Sequence, residues 1–175
     1  MQNLQDLAAL LRRLNVVADE IVRLIGRPAS TGHMGEYIAS QLFDLELSPS
    51  ANQAGIDGHF RSGGLAGRSV NVKWYTKLET LDMHPAHVPD FYLVLSGPRS
   101  KALNSRHMAR PHVITQVFIF ESVQLLAELA TRNIRPKVGT SVRRSEWEAA
   151  EIFPRANCLL YQLSAAQREN LILFG

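Results

Sequence analysis

The sequence predicts an α/β fold in which helices flank a mixed β-sheet, with a long helix at the amino terminus. Three patterns lead to this prediction. Apolar residues recur at alternating spacings of three and four over residues 3–25, which is typical of an amphipathic helix. Residues 55–75 indicate two strands joined by a glycine-rich turn. Residues 89–96 form the nearly continuous apolar run of a buried strand.

The length of the chain predicts one domain over residues 1–175. We expect a helix at 1–28, a central part at 29–98 and a part at 99–175 that completes the sheet. Hydrophobic residues make up 46% of the chain and charged residues 20%, which is ordinary for a soluble protein. The single cysteine, Cys158, excludes an internal disulfide framework and favours a cytoplasmic location. No apolar run is long enough to span a bilayer and the start does not resemble a signal peptide, so we expect no membrane partner.

The first helix carries a wide apolar stripe and ends near Gly26 and Pro28. A stripe wider than a two-position seam favours packing on the domain, and a homodimer through this helix is the alternative. The stripe consists of Leu4, Leu7, Leu11, Leu14, Ala18, Ile21 and Ile25, widened by Leu10, Val17 and Leu24.

A second helix is predicted over residues 29–43, with Ser30 or Thr31 as its N-cap. Glu36 lies off the apolar face of this helix, and the neighbouring Gly35 allows another backbone or a ligand to approach closely. Two interpretations of Glu36 remain open. It is either an ordinary glutamate near a helix start, favoured by the helix dipole, or part of a functional site.

The hairpin at residues 55–75 places polar groups on one side of the sheet. Side chains alternate along a strand, so Asn71 and Lys73 share one face while Val72 and Trp74 share the other. Asp57 lies on the neighbouring strand. The plain structural alternative is that Asp57 and Lys73 form an ion pair with no chemical role.

In chain order, Glu36, Asp57 and the Asn71-x-Lys73 pair resemble the site of the PD-(D/E)xK phosphodiesterases, the restriction-endonuclease-like superfamily. Four sequence strings are similar to an uncharacterised bacterial domain family within this superfamily. They are G-H-M-G-E, L-F-D-L-E-L, G-I-D-G and T-S-V-R-R-S-E-W-E-A-A-E-I-F-P. The resemblance implies that Glu36, Asp57 and Asn71 hold Mg²⁺ or Mn²⁺ and that Lys73 helps position or activate the attacking water. Asn71 stands where the superfamily usually has Asp or Glu, so the ion is expected to be weakly held.

Charge is unevenly distributed along the chain. Residues 99–175 contain eleven Lys and Arg against six Asp and Glu, whereas residues 1–98 contain eight against ten. This excess predicts contacts with nucleic acid, DNA being favoured, and a solvated loop is the alternative. The candidate contacts are Arg99, Lys101, Arg106, Arg110, Arg143 and Arg144.

Three functions follow from these observations. The first is a magnesium-dependent DNA endonuclease that uses all four residues of the resemblance. The second is a catalytically inactive member that binds nucleic acid or protein, and the third is an assembly subunit that uses the first helix. Metal binding distinguishes the first function from the others, and salt-dependent DNA affinity distinguishes the second from the third.

The remaining chain predicts a strand at 112–120, a helix capped by Ser122, a short helix within 141–152, a strand at 159–163 and a helix at 165–171. The pair His84 and His87 has the spacing of metal ligands, but its proline-rich surroundings favour a polar loop.

Overall fold

The computed structural model describes residues 2–49, 55–76, 80–98 and 111–175, and it is a mixed α/β structure that begins with a long helix. The prediction of a mixed sheet flanked by helices is confirmed. The elements are α1 (Gln2–Ile25), α2 (Thr31–Phe43), β1 (Leu45–Leu47), β2 (Gly58–Phe60), β3 (Ser69–Tyr75), β4 (Phe91–Ser96), β5 (Gln116–Glu121), α3 (Ser122–Thr131), α4 (Arg144–Ala150), β6 (Glu151–Phe153) and α5 (Ala165–Ile172).

One sheet of six strands holds the molecule together, and its spatial order follows the chain from β1 to β6. Strands β1, β2 and β3 pair antiparallel, β3 and β4 pair parallel, and β4, β5 and β6 again pair antiparallel. A parallel neighbour requires the chain to cross back over the sheet, and residues 80–90 form the described part of this crossover connection. Leu81, within that connection, forms an isolated bridge with Thr140.

The two faces of the sheet bury separate hydrophobic clusters. Val72 and Trp74 of β3 pack with α2 on one face. Tyr92 of β4 and Phe118 of β5 pack with α3 and α4 on the other face. The predicted alternation along β3 therefore divides its residues between the α2 side and the side of α3 and α4.

Helix α1 differs from the other elements because it contains no buried residue. Within the described part of the chain, no helix is long and apolar enough to cross a membrane.

Ser30 is the N-cap of α2, as predicted, and its hydroxyl accepts a hydrogen bond from the backbone N–H of His33 at 3.3 Å. The prediction that Ser122 caps α3 is wrong. Glu121 occupies the cap position, and Ser122 is a buried residue of the first turn.

The predicted strand at residues 159–163 is also wrong. The place beside β5 belongs to β6, which follows α4 directly and pairs with β5 around Phe118. Leu159 is instead highly exposed. An apolar run becomes a strand only where a sheet edge is available to it, and the sequence did not indicate that β6 takes this edge.

Candidate functional site

Glu36 is held close to the sheet because α2 packs tightly on β3. A Cβ atom built on Gly35 would lie 2.9 Å from the Cβ of Trp74, which is closer than packed carbon atoms approach. Only glycine permits this spacing. The absence of a side chain at residue 35 therefore lets α2 approach β3 closely at the residue that precedes Glu36.

Arg27 occupies one oxygen of the Glu36 carboxylate. The Arg27 Nη1 atom lies 2.6 Å from Glu36 Oε2, and Arg27 Nη2 donates a hydrogen bond to the carbonyl of Ser48 at 2.8 Å. Burial raises the pKa of Glu36, and the nearby charge of Asp57 raises it further. The charges of Arg27 and His33 oppose this rise without cancelling it.

Asp57 immediately precedes β2, and its carboxylate lies against β3. Its Oδ2 atom accepts a hydrogen bond from the backbone N–H of Val72 at 2.6 Å, at the end of the β2–β3 pairing. Burial raises the pKa of Asp57, while the Val72 N–H and the charges of Lys73 and Arg27 lower it in part. The charge of Asp57 thus raises the pKa of Glu36, and the charge of Lys73 lowers the pKa of Asp57.

Asn71 contributes a buried oxygen that has no hydrogen-bond donor among the described residues. Its side chain is only 4% exposed, and its Oδ1 atom remains unpartnered. Tyr92 pairs with Asn71 in the register of β3 with β4. Its buried hydroxyl also has no hydrogen-bond partner among the described residues. Unpaired buried polar atoms destabilise a fold, so two of them on paired strands indicate a site that another group completes.

Asn71 and Lys73 line a cavity of about 200 Å³ on the sheet face opposite α2. The crossover connection covers this cavity. Gly55 permits the closure, because a Cβ atom there would lie 2.4 Å from the carbonyl oxygen of His87. The polar side chains around the cavity are Asn71, Lys73, Asp82, His84, His87 and Tyr92.

His84 and His87 form an exposed pair in the crossover connection, with ring centroids 4.8 Å apart. The His84 Nδ1 atom accepts a hydrogen bond from the backbone N–H of Ala86 at 3.1 Å. Among the residues that the structure describes, no group of three or more His, Cys, Asp or Glu is arranged to hold a metal ion.

The donors around Asp57 suit a hard divalent cation in their chemistry. Mg²⁺ and Mn²⁺ prefer carboxylate and amide oxygens, which are the donor types of Asp57, Glu36 and Asn71. Glu36 belongs to α2, however, whereas Asn71 lines the cavity on the opposite face of the sheet. The unpartnered Oδ1 of Asn71 fits such a role, since a cation would satisfy it. Arg27 competes with a cation for Glu36, because it already neutralises that carboxylate.

The predicted nucleic-acid contacts are only partly described. Arg99, Lys101, Arg106 and Arg110 lie outside the described residues. Arg143 precedes α4 and is exposed, and the side chain of Arg144 is also exposed while pairing with Glu148 at 2.7 Å. This ion pair uses Nε of Arg144 and partly neutralises the guanidinium, which weakens its attraction for a phosphate.

A larger cavity, of about 540 Å³, is lined by residues of β5, α3 and α4. One of its carboxylates, Glu146, already pairs with Arg132 at 2.6 Å. Cys158, also in its wall, is buried. The smaller cavity is the better candidate, because it combines a lysine with unpartnered polar atoms.

No known protein-family model matches this chain, and a search of curated proteins finds no similar sequence.

Sequence reasoning did not find Arg27 or Tyr92. Arg27 lies between Gly26 and Pro28, in the connection from the first helix to the second. No sequence pattern marks an arginine in such a connection as part of a functional site. Tyr92 sits inside an apolar strand, and only its register opposite Asn71 connects it with the site.

Proposed function

We propose that this protein is a divalent-metal-dependent phosphodiesterase that cleaves nucleic acid, DNA being favoured, on a restriction-endonuclease-like core in the cytoplasm. One observation carries the proposal: Oδ2 of Asp57 accepts a hydrogen bond at 2.6 Å from the backbone N–H of Val72, the residue of β3 between Asn71 and Lys73. In support, the charge of Lys73 acts on Asp57, the charge of Asp57 acts on Glu36 of α2, and Asn71 adds an unpartnered oxygen.

Each residue has a distinct role in this proposal. Asp57, Glu36 and Asn71 provide the oxygen ligands, and a bound Mg²⁺ or Mn²⁺ would polarise the phosphoryl group and acidify a water. Lys73 faces the cavity and stabilises negative charge that develops on the phosphoryl oxygens. Burial around Asp57 and Lys73 strengthens these electrostatic interactions, because water screens them less there.

The order of the elements supports the same proposal. Glu36 lies on the helix before the first strand, Asp57 lies at the start of β2, and Asn71 and Lys73 share one face of β3. This is the arrangement that the sequence resemblance implies. It supports fold membership more directly than it supports a reaction, since one fold serves many functions.

A second candidate is a non-catalytic protein that uses the same fold to bind nucleic acid or another protein. The ion pair between Arg27 and Glu36 favours it, because a cation already occupies one candidate ligand. The amide at Asn71 favours it too, since a neutral ligand attracts a divalent ion less than a carboxylate does.

Calorimetric titration with Mn²⁺, performed beside a plasmid-cleavage assay, distinguishes the two candidates. The proteins are the wild type, Asn71→Glu and Asp57→Ala, with Glu46→Gln as a control that removes an exposed carboxylate from β1. We expect Mn²⁺ uptake and cleavage by the wild type, tighter uptake by Asn71→Glu, and loss of both by Asp57→Ala. The Glu46→Gln control should behave as the wild type does.

Failure to take up Mn²⁺ in both the wild type and Asn71→Glu, with DNA present or absent, would overturn the metal site. Uptake without cleavage would instead select the non-catalytic candidate.

A further inference from the structure

Helix α1 presents an apolar stripe to solvent. Leu4 is 71% exposed and Leu14 is 61% exposed, although both belong to the stripe that a helix normally buries. At about 100° per residue, one arc of the helix carries Leu4, Leu7, Leu10, Leu11, Leu14 and Val17. The charged residues Asp6, Arg12, Arg13, Asp19, Glu20 and Arg23 flank or oppose that arc.

The carboxyl-terminal end of the same stripe meets the rest of the molecule. Ala18, Ile21 and Ile25 are partly buried, and α1 contacts α2. A helix of 24 residues is about 36 Å long, so the amino-terminal half extends past this contact. One continuous stripe is therefore partly covered at one end and exposed at the other.

We infer that the exposed half of this stripe packs against the same half of a second copy of the chain. A surface made only of aliphatic side chains is self-complementary, so a twofold pairing brings like against like without burying a charge. The width of the stripe predicted packing on the domain, but Leu10 and Val17 are exposed with the rest of the amino-terminal half, so the domain does not cover this arc.

The area available agrees with a stable pair. Each of the exposed large side chains offers on the order of 100 Å² for burial, which gives about 600–700 Å² per copy. A standard protein interface buries about 800 Å² per partner. The stripe thus supplies most of an interface by itself, and flanking residues of α1 add the remainder.

A membrane surface is a poorer match for this helix. Helices that bind lipid combine an apolar face with an excess of Lys and Arg, often with Trp or Phe. The three arginines of α1 are balanced by three acidic residues, and α1 contains no aromatic residue. Electrostatic attraction to anionic lipid is therefore absent, whereas pairing between copies does not need it.

Sedimentation equilibrium of the full chain tests the inference. The variant Leu7→Lys/Leu14→Lys puts two charges on the exposed half of the stripe and spares Ile21 and Ile25, which contact the domain. The matched control Gln5→Lys/Val16→Lys adds the same two charges on the other side of α1, where Val16 is also exposed. Circular dichroism and thermal unfolding show whether each variant folds.

We expect the wild type to sediment at twice its 19.5 kDa chain mass. The dissociation constant of the dimer should rise on the order of 100-fold or more in the stripe variant. The control should form the dimer as tightly as the wild type does. A monomeric wild type at about 100 μM would overturn the inference, as would equal weakening of both variants. Binding of the wild type to vesicles of phosphatidylcholine and phosphatidylserine, lost only in the stripe variant, would also overturn it. Should the stripe variant fail to fold, the wild-type mass and chemical cross-linking through Cys substituted at Leu7 decide the question.

Discussion

The guanidinium of Arg27 lies 2.6 Å from the carboxylate of Glu36 and thereby partly neutralises an acidic group on which the charge of Asp57 also acts. Arg27 also donates to the carbonyl of Ser48, so two interactions fix its position. Any cation that uses Glu36 must compete with this arginine. The ion pair therefore sets how strongly the candidate site can attract a metal.

Replacing Arg27 with Gln should tighten Mn²⁺ binding about tenfold, because it removes a competing charge from Glu36. Calorimetric titration measures this effect. The matched control is Arg132→Gln, which breaks an ion pair of the same 2.6 Å length with Glu146, between α3 and α4. The control should lose stability without changing Mn²⁺ affinity. Weaker binding after Arg27→Gln would mean that Glu36 is not a ligand.

Asp57→Asn should raise the free energy of unfolding at pH 7 in the presence of EDTA. Burial raises the pKa of Asp57 in the folded protein, so the folded state holds the proton more tightly than the unfolded state does. The charged form of Asp57 therefore destabilises the folded protein. The free energy of unfolding declines as the pH rises from the ordinary carboxyl pKa through the raised value. The asparagine avoids this cost, and its amide oxygen can still accept from Val72.

The advantage of Asp57→Asn should vanish below the ordinary pKa of an aspartate, where the wild-type group is protonated in both states. Urea unfolding at pH 3.5 and pH 7 measures the difference in unfolding free energy between Asp57→Asn and the wild type.

Asp90→Asn is a control for which we expect the opposite change in stability. Burial raises the pKa of Asp90, but hydrogen bonds from Ser69 and Arg68 outweigh burial and lower it. Its stabilisation is present at pH 7 and lost as the pH falls through the lowered pKa, so Asp90→Asn should destabilise. A change in unfolding free energy of the same sign in Asp57→Asn and Asp90→Asn at pH 7 would contradict this account.

Gly35→Ala should destabilise the protein by about 1–3 kcal/mol, because the new methyl group collides with Trp74 and forces α2 away from β3. The control Gly32→Ala lies in the same helix, where the nearest side-chain atom is the Ser30 hydroxyl at 4.0 Å. Alanine there should stabilise by about 0.5–1 kcal/mol through helix propensity. Thermal unfolding of both variants checks the prediction, and stabilisation by both would show that α2 is not tightly seated.

DNA affinity should fall as the salt concentration rises. A plot of the logarithm of the association constant against the logarithm of the salt concentration should have a slope of about −0.9 for each phosphate contacted. Replacing Arg99, Lys101, Arg106 and Arg110 together with Gln should flatten this slope. Replacing Arg144 alone should change it less, because Arg144 already pairs with Glu148. Fluorescence anisotropy between 50 and 300 mM salt measures the slopes. An unchanged slope in the fourfold variant would assign residues 99–110 to a solvated connection.

The sequence by itself determined the features that depend on neighbours in the chain. The helix period defined α1, the capping residue Ser30 defined the start of α2, and side-chain alternation divided β3 between its two faces. These features are local because each follows from backbone geometry over one or two turns of helix or one strand.

Only the tertiary structure decided which distant groups meet. It paired Arg27 with Glu36, set Tyr92 beside Asn71, and gave the strand position next to β5 to Glu151–Phe153 in place of residues 159–163. Such pairings depend on the competition of many segments for one sheet and one core, which no local pattern encodes. The exposed stripe of α1 has the same origin. The sequence defines its apolar arc, but the small contact area with α2 decides that most of that arc remains exposed to solvent.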